Sequence, residues 1–362
     1  TQFQFPISFE RQKEFIVQNI SEFNQKKNTP KLIYLATKYY GKDWSKSYYY
    51  FDKLSNPFVD NGCIVNNCRV TRNKNNLNVS DAVLFHARDI EMEAISINRR
   101  SDQIWIFYTL EPPWLELVDL KKLNNVFNWT MTYRQDSDVV VKYGIKKRTD
   151  RHTPVLTIWE GRKNAALWYV SNCCTQSGRE EYVQLLREFF PIDIIGGCGK
   201  EACRPANSAR CYKKMKKYKF YLSFENAICK HYVTEKFYQI LRYDIIPIVM
   251  GDGEYYSTIA PPDSYINAMN YPNPVDLASY LWKISENKSL YHSFFSWKNH
   301  YEIVLHPWMC SLCEKLQSKG NVSIVKHLKH WWEDEARCKK WTLSGFLPVN
   351  SVMFPCYHTH NL

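Results

Sequence analysis

The sequence predicts an α/β fold of two domains facing a crevice, on three observations. At 362 residues the chain exceeds the size at which one hydrophobic core is usual, so two domains of roughly 150 residues are expected. Short apolar runs alternate with polar or helically periodic segments along most of its length. Within that alternation Tyr218–Gly251 reads as one complete strand–helix–strand unit.

Residues 1–30 are polar with scattered Phe and read as a stem or lead-in. A first domain, 31–160, carries candidate strands at Leu32–Leu35, Ala82–His86 and Ile104–Tyr108, and Pro112-Pro113 ends the exit loop of the third. It closes in the charged stretch between Lys142 and Lys163. A second domain, 161–305, opens with the strand Ala165–Ser171. A helix follows over Gly178–Phe190 with Tyr182, Leu185, Leu186 and Phe189 on one side, then the strand Ile192–Gly196 and a cysteine-bearing loop to Tyr212. After the Tyr218–Gly251 unit the pattern is helical from Tyr271 through Trp297, and 306–362 is a Cys- and Trp-rich tail expected to pack back on the domains.

The polar residues of the strand–helix–strand unit lie in one place. Glu225 and Asn226 leave the first strand at its carboxyl end, and Tyr232, Glu235 and Lys236 sit at the first turn of the helix. In a parallel sheet the carboxyl ends of strands face the ligand crevice, and a helix amino terminus with a nearby lysine suits a phosphate.

Composition narrows the compartment. Hydrophobic residues make up 45% of the chain, ample for burial, and 25 Tyr, 19 Phe and 12 Trp exceed what a core alone asks for, so some could stack on sugars or a base. No run of about 20 apolar residues occurs, and a start at Thr1 suggests a processed chain whose membrane anchor lies outside it. Twelve cysteines and five Asn-X-Ser/Thr sequons, at Asn19, Asn78, Asn128, Asn287 and Asn321, favour the secretory pathway. Buried free thiols, and zinc on Cys310-X-X-Cys313 with Cys63 and Cys68, are the competing readings of these cysteines; disulfides are preferred because secretory thiols oxidise unless a metal holds them. The net charge of +12 and the run Lys213–Lys217 come without any recognition-helix, zinc-finger or RNA-platform pattern, so no nucleic acid is expected as a partner. A basic surface equally suits a nucleotide diphosphate.

Several separated motifs then carry a family resemblance. They are Val83–Ile90 (VLFHARDI), Leu110-Glu111-Pro112, Phe127–Asp138 with Tyr143-Gly144, Val170-Ser171-Asn172 with Arg179, and the Phe220–Gly251 block. In this order, over roughly 31–315, they resemble the α1,3-fucosyltransferases, inverting enzymes of glycosyltransferase family 10 that use GDP-fucose. The resemblance implies a GT-B fold, two Rossmann-like domains facing a central cleft, acceptor bound mainly by the first and donor by the second. It implies a Golgi enzyme with its catalytic domain in the lumen. It implies no required cofactor, GDP-fucose as co-substrate, and leaves stimulation by Mn or Mg open.

Carried over motif by motif, Glu111 is similar to the catalytic base: an attacking sugar hydroxyl must lose a proton, and a carboxylate within reach takes it. Arg179 and Lys236 are similar to the groups that offset charge on the departing GDP, with a helix-start salt bridge and a solvated lysine as their structural alternatives. Glu235 matches the ribose-binding glutamate, and Tyr221, Asn226 and Tyr232 match donor contacts, although a tyrosine such as Tyr221 in an apolar strand also suits a core. Ser171 and Asn172 are expected to line the donor pocket; Tyr133 and Arg134 are expected near the crevice or as fold supports.

The cysteine pattern suggests that Cys310 and Cys313 tie the end of the second domain back to Cys63 and Cys68 in the first. Gln135 stands where relatives often have Arg and is given no role. The Cys198, Cys203, Cys211 set, the Cys63/Cys68 spacing and the Trp331–Cys338 tail look more like invertebrate enzymes that fucosylate the N-glycan core than Lewis-type enzymes acting on LacNAc or LacdiNAc antennae. The expected acceptor is therefore the 3-hydroxyl of the core GlcNAc on a glycoprotein. A glycan-binding protein that has lost turnover is the competing class, and retention of Glu111, Arg179, Glu235 and Lys236 together argues against it.

Overall fold

The computed structural model describes residues 30–44, 56–95, 99–113, 116, 118–149, 159–199, 201–203, 208–305, 307–318 and 323–349. The stem at 1–29 and the sequons at Asn19 and Asn321 lie outside the described residues. Of the described residues, those in 30–142 with those in 307–336 form one compact unit, and those in 143–305 with 337–349 form another.

In the first unit six strands are hydrogen-bonded side by side: β1 (Lys31–Leu35), β2 (Cys68–Thr71), β3 (Ala82–His86), β4 (Ile104–Tyr108), β5 (Trp129–Thr132) and β6 (Val139–Val140). All pairs are parallel, in the order β2-β1-β3-β4-β5-β6. Every residue of β3 and β5 is buried, the pattern of strands covered on both faces rather than of an alternating, half-wet strand. The strand order turns back between β1 and β3, so their carboxyl ends form the switch point at which open parallel sheets hold ligands.

The chain returns to this unit at 307, and the helix Trp308–Gln317 carries Cys310 and Cys313 into bridges with Cys63 and Cys68. The expected partners are thus the observed ones, but the bridges lie inside one unit instead of linking two, because the helix that bears them belongs to the same unit as Cys63 and Cys68. Arg134 fixes a further part of the returning segment. It is fully buried, pairs with Asp136 and with Glu335 at 3.1 Å, donates to the Trp331 carbonyl and lies 4.5 Å from the Trp331 ring. Asn128 must be corrected as a glycosylation candidate: it is 3% exposed, its Oδ1 accepts from Trp105 N at 2.9 Å and its Nδ2 donates to Ser323 O at 3.2 Å, which leaves no room for a glycan. Asn78 and Asn287 are exposed.

In the second unit β7 (Gly144–Arg148) pairs antiparallel with the later strand 301–305, and the main sheet is β8 (Lys163–Tyr169), β9 (Ile192–Ile195), β10 (Tyr218–Phe224), β11 (Ile246–Met250) and β12 (Ile266–Asn267). These five are parallel in the order β9-β8-β10-β11-β12, so this sheet too has a switch point, between β8 and β10. Apolar residues of the helices Arg179–Arg187 and Pro274–Glu286 cover one side of the sheet, joined by Trp341 from the hairpin Lys339–Thr342 and Gly345–Pro348. Lys219 is the charged exception in the apolar run of β10. It is buried because its ammonium donates to Asn164 Oδ1 at 2.7 Å and Ser285 O at 2.8 Å and lies over the Trp159 ring.

Two local expectations change. The helix expected over Gly178–Phe190 ends at Arg187, so Phe189 is 45% exposed while Tyr182, Val183 and Leu186 are buried. The span Tyr271–Trp297 is broken at Asn287: the helix Pro274–Glu286 stops there, and Asn287 Oδ1 caps the helix Lys288–Ser293 by accepting from Leu290 N at 2.9 Å.

Candidate active site

Each unit presents candidate groups at its own switch point. In the first, β4 runs out into Thr109-Leu110-Glu111. Glu111 N donates to Thr109 Oγ1 at 3.2 Å, and Glu111 Oε1 accepts from the Tyr40 hydroxyl at 2.7 Å. Tyr40 follows β1, so the expected base is bonded to a residue from a neighbouring loop that sequence reading passed over; a tyrosine in a polar loop gives no signal by itself. Tyr133 belongs to this unit and not to the one that gathers the donor candidates. Its ring is 2% exposed and packs 5.5 Å from that of Trp332.

In the second unit the loops after β8 and β10 meet. Ser171 and Asn172 follow β8 and are exposed. Gly197 N donates to Ser171 Oγ at 3.3 Å, and a bridge from Cys173 to Cys198 clamps the same loop. Close approach makes glycine necessary at its edge: a Cβ on Gly196, at φ +119°, would stand 2.3 Å from Val170 O. Arg179 opens its helix 4% exposed, donating from Nη1 to Phe224 O at 2.8 Å and from Nη2 to Asn172 O at 3.1 Å. It therefore ties the ends of the two loops together, and the anticipated helix-start pair is present as well, Nε to Glu180 Oε1 at 3.1 Å.

Beyond β10 the chain places a carboxylate in the interior. Glu225 is fully buried and accepts from Thr234 N at 2.8 Å and from Thr234 Oγ1 at 2.8 and 3.0 Å, while Lys236 Nζ stands 3.3 Å from its Oε2. Burial pushes the Glu225 carboxyl above its ordinary range, with Lys236 and Thr234 opposing. Lys236 Nζ also donates to Thr234 Oγ1 at 2.9 Å and to Glu235 Oε1 at 3.2 Å. One ammonium is thus held by two carboxylates and a hydroxyl. Thr234 is the residue sequence reading missed here, with the Ser/Thr-before-helix signature as its available sign; Glu225 was placed at the strand's carboxyl end but given no role.

Glu235 is 8% exposed, and its Oε2 is a buried oxygen without a hydrogen-bond partner among the described residues. Such an atom is costly unless a ligand supplies a donor. Tyr232 is buried and its hydroxyl donates to Asn226 Oδ1 at 2.9 Å. Tyr221 is 7% exposed within the cluster of Tyr169, Met215 and Ile240, and burial raises its phenol far above the usual range. The structure thus brings Ser171, Asn172, Arg179, Asn226, Tyr232, Glu235 and Lys236 to one edge of one sheet, with Tyr221 in the core beneath. Among the described residues no three His, Cys, Asp or Glu side chains are gathered as a metal ion requires.

Two family models match: "Fucosyltransferase, N-terminal" over residues 28–144 and "Glycosyltransferase family 10 (fucosyltransferase) C-term" over 159–331. The alpha-(1,3)-fucosyltransferase fut-6 of Caenorhabditis elegans is 32% identical over 87% of this chain and 83% of its own length. The glycoprotein 3-alpha-L-fucosyltransferase A of Drosophila melanogaster is 31% identical over 82% of this chain and 60% of its own length. A crystal structure of an alpha1,3-fucosyltransferase with GDP-fucose superposes with a TM-score of 0.55 over 85% of this chain and 97% of that one; at 15% identity it bears on the fold alone, which is GT-B. With two parallel-sheet units, both family models matched and a relative covered over most of its length, the chain belongs to glycosyltransferase family 10, the fucosyltransferases.

Proposed function

We propose that this chain transfers L-fucose from GDP-fucose, with inversion, to the 3-hydroxyl of an N-acetylglucosamine, and that the acceptor is the N-glycan core. The observation that carries the donor half is the unpartnered, buried Oε2 of Glu235 beside the Lys236 ammonium. A ribose hydroxyl supplies the donor that Glu235 Oε2 lacks, and the Lys236 ammonium, which Glu225 and Glu235 hold at the same place, adds positive charge for a diphosphate. Arg179, already bonded to both loop ends, adds a second positive charge for the leaving GDP. Ser171, Asn172, Asn226 and Tyr232 line the pocket, and Tyr221 supports it from below. Tyr133, in the unit of Glu111, supports that half by packing rather than by touching the nucleotide.

Glu111 is the base. It removes the proton of the attacking 3-hydroxyl as oxygen bonds to the anomeric carbon and the bond to GDP breaks, in one displacement that needs no covalent intermediate. The core acceptor is supported by the cysteine-rich loop and tail; the name of the Drosophila relative, a glycoprotein fucosyltransferase, points the same way. The complete bridging of the described cysteines supports an oxidising, lumenal compartment such as the Golgi. Stimulation by Mn or Mg, acting on the diphosphate, is tested by adding EDTA to the assay; unchanged turnover removes it.

The deciding experiment supplies GDP-fucose with an N-glycan bearing an exposed core and, separately, a LacNAc oligosaccharide, and places the product by mass spectrometry. Fucose on the core is expected. Fucose on LacNAc alone would overturn the acceptor assignment, and binding of GDP without product on either would point to a retired enzyme. Glu111→Gln is expected to retain GDP binding and lose transfer, and undiminished turnover would remove its assignment as base.

A further inference from the structure

We infer that Tyr40 is a positioning residue for Glu111 and that the pair His86–Asp89 holds Tyr40 in place for it, an inference that rests on Glu111 being the base proposed above. Tyr40 has φ of 51°, in the left-handed region that a tyrosine avoids. One carboxylate stabilises that turn: Asp89 Oδ2 accepts from Tyr40 N at 2.7 Å and Asp89 Oδ1 accepts from Gly41 N at 2.6 Å. Asp89 is itself oriented by His86, whose Nδ1 lies 2.5 Å from Oδ2. Burial disfavours its charge, but the bonds from His86, Gly41 and Tyr40 outweigh that and hold the carboxyl below its usual range.

The ring is fixed as firmly as the backbone. It stands edge-on to Tyr39 at 4.7 Å and tilted on His86 at 4.8 Å, and the Arg88 guanidinium lies 5.9 Å from its centre. The outcome of this arrangement is the hydroxyl 2.7 Å from Glu111 Oε1. A bond to one oxygen sets the plane of a carboxylate, and with it the direction in which the other oxygen meets an incoming hydroxyl. Tyr40 and Glu111 come from the loops after β1 and β4, His86 ends β3 and Asp89 follows it, so the four gather beside the switch point between β1 and β3. Backbone strain over-determined by surrounding bonds is characteristic of sites where geometry serves chemistry. The HARD segment, His86–Asp89, thereby acquires a role: it builds the support for the base.

The test is Tyr40→Phe in the full chain, which keeps the ring contacts and removes the bond. Turnover is expected to fall by about tenfold or more, the loss of one hydrogen bond to a charged group, while the KM for GDP-fucose and the melting temperature stay at wild-type values. Asp89→Asn should lower kcat similarly, and the double variant should lose no more than Tyr40→Phe alone, because both act through one contact. Wild-type kcat in Tyr40→Phe would overturn the inference, as would a loss carried by the GDP-fucose KM or by a lowered melting temperature. If Asp89→Asn does not fold, Tyr40→Phe decides alone. Glu111→Gln separates the two levels: retained turnover there sinks the base itself, whereas an inert Glu111→Gln beside an unimpaired Tyr40→Phe sinks only the role of Tyr40.

Discussion

Cys63–Cys310 and Cys68–Cys313 close loops of 247 and 245 residues, and their half-cystines are neighbours on both sides, five residues apart at one end and three at the other. With either bridge intact, the second therefore constrains an extra loop of only about eight residues in the unfolded chain, worth about 2.5 kcal/mol on the chain-entropy relation. With neither intact, the whole loop of nearly 250 residues is released, and the last bridge to go is worth about 5.5 kcal/mol. Cys63, Cys68 and Cys313 are each no more than 3% exposed and Cys310 is half-buried, so the Cys63–Cys310 pair loses the less packing and an excess cost on removing it second reports the loop. Removing one pair should lower the melting temperature of this unit by about 5–10 °C, and removing the second should cost roughly twice as much again. The measurement is non-reducing thermal melting of wild type, each paired Cys→Ala variant and the quadruple variant. Equal, additive losses would refute the reasoning, as would a first removal that costs more than the second.

Three further outcomes follow from the donor edge. Lys236→Ala should weaken GDP binding by about 10–100-fold, the range for a hydrogen bond to a charged group, in a protein that still folds; unchanged affinity by calorimetry counts against its phosphate role. Glu235→Ala should abolish the preference for GDP over its 2′,3′-dideoxy analogue, since the buried oxygen that discriminates is gone, and a retained preference would place the ribose elsewhere. Glu225 titrates higher in the fold than its ordinary 4.5, so between that pH and its raised value the folded state binds more protons and stability falls as pH rises. Glu225→Gln removes this slope, and its melting temperature relative to wild type should therefore climb from pH 4.5 upward; a difference that shrinks with rising pH would contradict the buried-carboxyl assignment.

Seven of the eleven strands of the two sheets and the family motifs were legible in the chain because they depend on local pattern, whereas Cys68–Thr71, Trp129–Thr132, Val139–Val140 and Ile266–Asn267 were not read as strands. Ala82–His86, Ile104–Tyr108 and Ile246–Met250 are short apolar runs bounded by breakers, and a strand buried on both faces requires such a run wherever it occurs. The motif residues could be read as a set, since Glu235 and Lys236 start a helix and Glu225 and Asn226 end the strand before it. Their competing structural uses could not be separated there, because burial is not a local property: Arg179 and Tyr221 are both more than nine-tenths covered by residues distant in sequence.

By itself, then, the amino-acid sequence determined the class of fold, its longer apolar strands, and the residue types that a nucleotide sugar and a base-assisted transfer require. Tertiary structure decided which groups meet. It put the helix Trp308–Gln317 back into the first unit, so that two expected bridges lie within it and close loops that run out through the second. It buried Asn128, which a sequon presents as a surface site. It set the Tyr40 hydroxyl on Glu111 and Lys236 between Glu225 and Glu235. The physical reason is the same in each case: periodicity and propensity act over a few residues, whereas a hydrogen bond, a disulfide or a buried charge is settled by partners dozens to hundreds of residues away.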